Sequence, residues 1–234
     1  MEKVIYLVWR DPGTPAADWS ATLRGAVTSR LADTGATGVQ VNVADDAVAG
    51  ALMRLAALDP QPEAVVGLWV DSARDAARRP FDEALAAGPG TARVAAYLVT
   101  ESVPLRNTAH PAAPGERTEG FANIALLRRP GGMTHDEWID AWHNGHTDVA
   151  NETQSTFGYV QNVVARPLTR DVPAVDGIVE ELFPIEALTS LHAFFAAADD
   201  DELARNLERM TESTARFGAD RDIDVIPTSR YVMG

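Results

Sequence analysis

The sequence predicts an α+β protein in which two βαββαβ units, carried in one chain, close a single barrel. Three observations predict it. Apolar residues follow strand and helix periods in the same order twice along the chain. Short stretches recur between the halves: Arg10-Asp11-Pro12-Gly13 with Arg128-Arg129-Pro130-Gly131, Asp18-Trp19 with Glu137-Trp138, and Gly38-Val39-Gln40-Val41-Asn42-Val43 with Gly158-Tyr159-Val160-Gln161-Asn162-Val163. A polar run rich in Pro and Ala, residues 107–119, separates the halves as a linker. The order is that of ferredoxin-like units. Two of them set sheet against sheet would hide their edges in one barrel.

The first unit spans residues 1–106. Val4–Arg10 is dense in β-branched and aromatic residues and reads as a strand. Ala16–Asp33 carries Trp19, Leu23 and Val27 at helical spacing. Val39–Val43 reads as a strand, about Val48–Leu58 as a short helix, and Ala64–Val70 as a strand. A helix over about Ala76–Ala87 and a strand over Arg93–Thr100 complete the unit. The second unit spans 120–234. It reads as strand Phe121–Arg128, a helix from Thr134 to about Gln154, strands Tyr159–Ala165 and Ile178–Phe183, helical segments over about Ile185–Ala198 and Asp200–Phe217, and strand Asp222–Pro227.

Composition excludes several functions. The chain has 234 residues, a net charge of −14 and no cysteine. Nucleic acid and anionic membranes would be repelled. No apolar run approaches the ~20 residues that span a bilayer, and the start of the chain lacks a signal-peptide pattern. Disulfides and thiolate chemistry are absent, which fits a cytoplasmic protein. The only lysine, Lys3, opens the first strand, a poor place for a Schiff-base nucleophile.

The duplication supplies an internal control. With Trp19 set on Trp138, Leu23 falls on Trp142 and Val27 on His146. The first half therefore places valine where the second places histidine, on a core-facing stripe. Val39 and Val41 become Tyr159 and Gln161. Ile5, Leu7 and Trp9 become Asn123, Ala125 and Leu127, and Gly67 becomes Glu180. Unpaired buried polar groups cost about 1–3 kcal/mol each. These substitutions therefore predict a polar pocket in the second half and a structural first half. His143 lies at the edge of the same stripe. Asn162 is matched by Asn42 and reads as structural, His110 as a loop residue and His192 as a helix-surface residue. His143 and His146 lack the further ligands of a metal site.

The motif Arg128-Arg129-Pro130-Gly131-Gly132-Met133-Thr134, then Trp142-x-x-x-His146, then Tyr159-Val160-Gln161-Asn162, then Asp176-Gly177-Ile178 with Glu180 and Phe183, resembles the EthD family of dimeric α/β-barrel proteins. The resemblance covers most of 121–234. It departs at Asp148, where the family often has proline. It implies a ferredoxin-like unit that pairs into a barrel, here within one chain, as a monomer or homodimer.

The expected function is a cofactor-independent enzyme doing proton-transfer chemistry (dehydration, cyclisation, isomerisation or decarboxylation) on a small apolar, aromatic or polyketide-like ring compound. His146 is the expected acid–base group, with Glu180 orienting it. Tyr159, Gln161, Asn123, His143 and Trp142 are the expected substrate-binding residues. No metal and no cofactor are expected. The alternatives are a non-catalytic small-molecule-binding or accessory protein, and a haem-binding tandem ferredoxin-like protein with His146 or His192 as axial ligand.

Overall fold

Strand alternation builds the molecule. The computed structural model describes residues 1–233. Eight strands, β1 (Glu2–Arg10), β2 (Gly38–Val43), β3 (Ala64–Val70), β4 (Thr91–Leu105), β5 (Phe121–Leu127), β6 (Gly158–Pro167), β7 (Gly177–Phe183) and β8 (Asp224–Val232), close one barrel in the order β1-β3-β2-β8-β5-β7-β6-β4. Every pairing is antiparallel. The halves join at two seams, β2–β8 and β4–β6. The α+β class and the tandem ferredoxin-like barrel expected from the sequence are what the chain forms.

Helices cover the outside of each half. In the first, α1 (Ala16–Thr22) and α2 (Thr28–Asp33) flank a π turn at Leu23–Val27, and α3 (Asp75–Ala86) lies beside them. In the second, α4 (His135–Ile139), a π turn at Asp140–Asn144 and α5 (Thr147–Thr153) form the matching unit. It is followed by α6 (Leu191–Phe194) and α7 (Asp200–Phe217). The lumen holds Ile5, Leu7, Trp9, Ile124, Leu126 and Ile178. The first helix layer packs Trp19, Leu23 and Val27 on Val4, Tyr6, Val8 and Leu68. The second packs Trp138, Trp142 and Phe217 on Ala125, Leu127, Tyr159 and Val179.

Three expectations need correction. The helix expected at 48–58 is absent. After a single 3-10 turn at Asp46–Val48 the chain continues through turns and bends and bridges Leu55 to Val225. Its apolar residues belong to no amphipathic helix: Met53 and Leu55 cover a cavity in the other half. The buried carboxylate of Asp224 clasps this strap. It accepts from the amides of Ala57 and Leu58, each at 3.0 Å, and from Gln61 Nε2 at 2.9 Å. Arg128 adds an ion pair at 2.8 Å. Burial works against the charge of Asp224, but these partners prevail and hold its pKa below the usual carboxylate range.

The second correction concerns strand faces. Ile5, Leu7 and Trp9 point into the lumen, whereas Asn123, Ala125 and Leu127 face the helices. Between its last helix-facing residue and the Pro-Gly turn the first half has three residues, Trp9, Arg10 and Asp11, and the second has two, Arg128 and Arg129. Aligning the turns therefore moves β1 by one residue, and one residue reverses every face. The counterparts of Asn123, Ala125 and Leu127 are Val4, Tyr6 and Val8.

The third concerns Glu180. It points into the lumen, away from His146. There its carboxylate accepts from Gln40 Nε2 and Asn42 Nδ2, both at 2.9 Å, and pairs with Arg230 at 3.1 Å. Gln40, Asn42 and Arg230 lie on the β2–β8 pair and Glu180 on β7, so this network ties the two halves together. Glu180→Ala would remove an acceptor shared by two buried amide donors and leave the Arg230 guanidinium without its carboxylate. It should lower the unfolding free energy by about 3 kcal/mol in urea titration. Ligand affinity of the helix-side cavity should be unchanged.

Candidate functional site

The helical unit that carries the histidine begins with a capping box. Thr134 Oγ1 accepts from the Glu137 amide, and the Glu137 carboxylate accepts from the Thr134 amide at 2.8 Å. The π turn then inserts one residue's worth of phase. As a result Trp138, Trp142 and His146, four residues apart, stack on one face. Gly145 closes the wide turn, its amide bonding Asp140 O at 3.0 Å. A Cβ there would sit 2.6 Å from Ala141 O, so a larger residue is blocked. The first half has its own π turn at an overlapping place, two residues further along, and with one such turn in each helix Val27 stays in register with His146.

His146 is 6% exposed. Its Nδ1 lies 2.9 Å from Ser213 Oγ on α7, and its ring packs on Phe217 at 4.9 Å between centroids. Burial lowers its pKa to about 4, so the ring is neutral at physiological pH. Ser213 sets the tautomer. If its hydroxyl accepts from Nδ1, Nε2 carries a lone pair; if it donates, Nε2 carries the proton.

Beneath this histidine the sheet presents a transverse row. Asn123 on β5 pairs with Glu181 on β7, which pairs with Tyr159 on β6. All three line a cavity of about 350 Å³ with His146, Trp142 and Phe217. The matching row of the first half is Val4, Leu68 and Val39, all buried in its helix-side core. Three apolar positions have thus become an amide, a carboxylate and a phenol, under a valine that has become histidine.

The row is poorly paired within the protein. Glu181 makes no hydrogen bond or ion pair among the described residues, and burial pushes its pKa up to about 7. Asn123 is 3% exposed and its Oδ1 has no partner. Gln154, also on the cavity wall, leaves Oε1 unpartnered. The Tyr159 hydroxyl accepts from Trp142 Nε1 at 3.2 Å and Gln161 Nε2 at 3.3 Å. Burial first, then the charge of Glu181, raises its pKa, so the phenol stays protonated.

The residues expected at the site divide clearly. His146, Tyr159, Asn123 and Trp142 come together on the cavity. Gln161 lies behind Tyr159, held by Thr147 Oγ1 at 2.9 Å, and positions the phenol without lining the cavity. His143 lies outside the lining, its ring edge-on to Trp142 at 4.7 Å and its Nε2 buried without a partner. Glu180 is on the opposite face of the sheet. Asn162 binds Ile178 O, also on the lumen side, while His110 and His192 pair with Glu119 and Asp200 at the surface. Sequence reasoning missed Glu181. Strict alternation from Gly67 and Glu180 would have found it, since the next position reads Leu68 in one half and Glu181 in the other.

The lining does not suit haem. It contains no lysine or arginine to hold two propionates, and it places Glu181 and Asp220 there instead. His192 lies outside the cavity. Among the described residues no cluster of three or more His, Asp or Glu side chains could hold a metal ion. No helix among them is long and apolar enough to cross a membrane.

Comparison with known proteins agrees with this architecture. Residues 130–213 match the EthD domain family. No curated protein matches the chain. An anthrone oxidase-like protein of known structure is similar with a TM-score of 0.58 at 16% identity, covering 100% of this chain and 93% of that one. A mutant chlorite dismutase from Candidatus Nitrospira defluvii in complex with cyanide gives 0.52 at 9% identity, over 98% and 90%. A putative monooxygenase from Fusobacterium nucleatum gives 0.51 at 8%, over 100% and 92%. At these identities the likeness is one of fold.

Two outcomes test this geometry. Tyr159→Phe leaves the buried indole donor of Trp142 without an acceptor and removes one of the two acceptors of Gln161 Nε2, and should cost about 2 kcal/mol in denaturant titration. The second concerns pH. The folded pKa of His146, about 4, lies below its unfolded value near 6.5. Folding therefore favours the neutral ring. The contribution is complete above the unfolded pKa and is lost as pH falls from about 6.5 toward 4. His146→Gln should flatten the stability–pH curve in that window relative to wild type; parallel curves would contradict the burial of a neutral imidazole.

Proposed function

We propose, from the EthD domain match at 130–213 and the cavity beneath it, that this chain binds a small, neutral, largely apolar ring compound and moves a proton on it, with Glu181 as the titrating group. The observation that carries the reading is the partnerless carboxylate of Glu181, in line with Asn123 and Tyr159 at the base of an apolar cavity. A carboxylate with a pKa of about 7 is matched to acid–base work near neutrality. The volume falls within the range of small-molecule pockets.

The anthrone oxidase-like neighbour suggests a substrate class, a ring ketone with an acidic C–H. In the proposed step one Glu181 oxygen takes the proton from the carbon next to the carbonyl-bearing system. The C–H pair becomes part of the enolate, and the developing oxyanion accepts hydrogen bonds from Asn123 Nδ2 and from His146 in its Nε2–H tautomer. The neutral Tyr159 holds the ring edge and keeps Trp142 in place. The carboxylates of the lining disfavour an anionic substrate.

The test is hydrogen–deuterium exchange at the acidic carbon of anthrone in buffered D2O, followed by NMR. Wild-type protein should accelerate exchange, with the rate rising as pH passes through about 7 and Glu181 loses its proton. Glu181→Gln should reduce the enzymatic part by about 10²–10⁴-fold. His146→Ala should lower it less, with the pH midpoint unchanged. Tight binding without acceleration would favour an accessory ligand-binding role, and neither binding nor acceleration would reject the substrate class.

A further inference from the structure

A second cavity, of about 430 Å³, lies behind the wall formed by the end of α7 and the loop leading to β8. Four arginines line it: Arg128 and Arg129 at the end of β5, Arg216 in the last turn of α7, and Arg221 in the following loop. This concentration is unusual in a chain of net charge −14. Asp222 is the only acidic residue of the lining.

Two of the four cations are already engaged. Arg128 pairs with Asp224 at 2.8 Å and Arg221 with Asp220 at 3.1 Å. The other two have no carboxylate partner among the described residues. The Arg129 guanidinium donates to the Met133 carbonyl, which fixes its direction and leaves its charge uncompensated. Arg216 makes no hydrogen bond or ion pair within the protein among the described residues and is exposed.

The walls are held in place. Gly218 ends α7 at φ 82°, and a Cβ there would approach Pro130 Cγ to 2.3 Å, so the α7 terminus is seated directly on the strand-to-helix turn. The first half again supplies a contrast. Its corresponding turn has Asp11 in place of Arg129, and that carboxylate accepts from the Gly13 amide at 2.9 Å to form a local turn with no free cation. The cationic cleft belongs to the second half alone.

We infer that this arginine cleft is a binding site for a phosphate group, free or as a phosphomonoester, with Arg129 and Arg216 as its principal ligands. Planar guanidinium forks match the oxygens of such an anion. The site is separate from the Glu181 cavity and does not depend on the function proposed for it. One short segment walls both: Phe217, Ala219 and Asp220 face the Glu181 cavity, while Gly218, Arg221 and Asp222 face the cleft.

The experiment is calorimetric titration of the full chain with inorganic phosphate and with phenyl phosphate, a monoester, at low ionic strength, against chloride of equal ionic strength. Saturable binding of one or both is expected, weakening as salt is raised. Arg216→Ala, an exposed change that breaks no internal contact, should weaken binding about tenfold, and the Arg129→Ala, Arg216→Ala double variant should abolish it. Circular dichroism checks that each variant is folded. Absence of saturable binding by the wild type, or undiminished binding by folded Arg216→Ala, would overturn the assignment.

Discussion

A closed antiparallel barrel gives each strand side chain two destinations, the lumen or the helix layer, and alternation assigns them without exception along a regular strand. The candidate site depends on that constraint. Glu180 and Glu181 are neighbours in sequence, yet one completes a polar network with Gln40, Asn42 and Arg230 in the lumen while the other lines the helix-side cavity. A shift of one residue in β7 would exchange them. Either the lumen carboxylate would leave Gln40, Asn42 and Arg230 or the helix-side one would leave the row of Asn123 and Tyr159, so the two sets of neighbours could not both be kept. The register of β7 between β5 and β6 therefore fixes both the stability of the seam and the chemistry of the pocket.

The second half carries these polar positions because the rest of the chain compensates for them. Its helix layer has replaced Val4, Leu68, Val39 and Val27 with Asn123, Glu181, Tyr159 and His146, a change that loses apolar packing and leaves polar atoms short of partners. Glu181 has a folded pKa of about 7, above its unfolded value. Its stabilising contribution is therefore complete at low pH and is lost as pH rises through that value. The matching row of the first half, Val4, Leu68 and Val39, is apolar and has no such liability. It also lends the strap of residues 49–58, which Asp224 fastens over the cavity. One half thus supplies packing and a cover and the other supplies the polar chemistry, a division that a single shared barrel makes possible.

Much of this was legible in the sequence. Periodicity and the repeated turns gave two βαββαβ units, because amphipathic strands and helices write their faces into local spacing. The replacement of Val27 by His146 and of Val39 by Tyr159 was also legible, since each half has one π turn in its first helix, the two overlap, and the alignment stays intact. Where reading failed, a local irregularity was responsible. The one extra residue between β1 and its Pro-Gly turn reversed the comparison of β1 with β5. It still led to Asn123, though through the wrong counterpart. The strap at 48–58 was misread as a helix because its apolar residues answer to a cavity formed by distant strands, and no local period records that. Glu181 was masked by Glu180: two adjacent acids look like an exposed edge until the strand is known to be covered on both faces.

The split between the two titrating groups follows from their surroundings. His146 is buried and Glu181 half-buried in an apolar lining, and desolvation favours the neutral form of each: it lowers the pKa of His146 to about 4 and raises that of Glu181 to about 7. Near neutrality the imidazole is therefore fixed in charge while the carboxyl group changes state. An imidazolium beside Glu181 would pull the carboxylate pKa down and trap it as an ion pair. A neutral imidazole leaves it free to gain and lose a proton, and its own hydrogen-bonding direction is set by Ser213. In the proposed chemistry this reverses the roles that residue type alone suggests. The histidine becomes the fixed hydrogen-bonding group, and the carboxylate, without a partner in the protein, carries the proton.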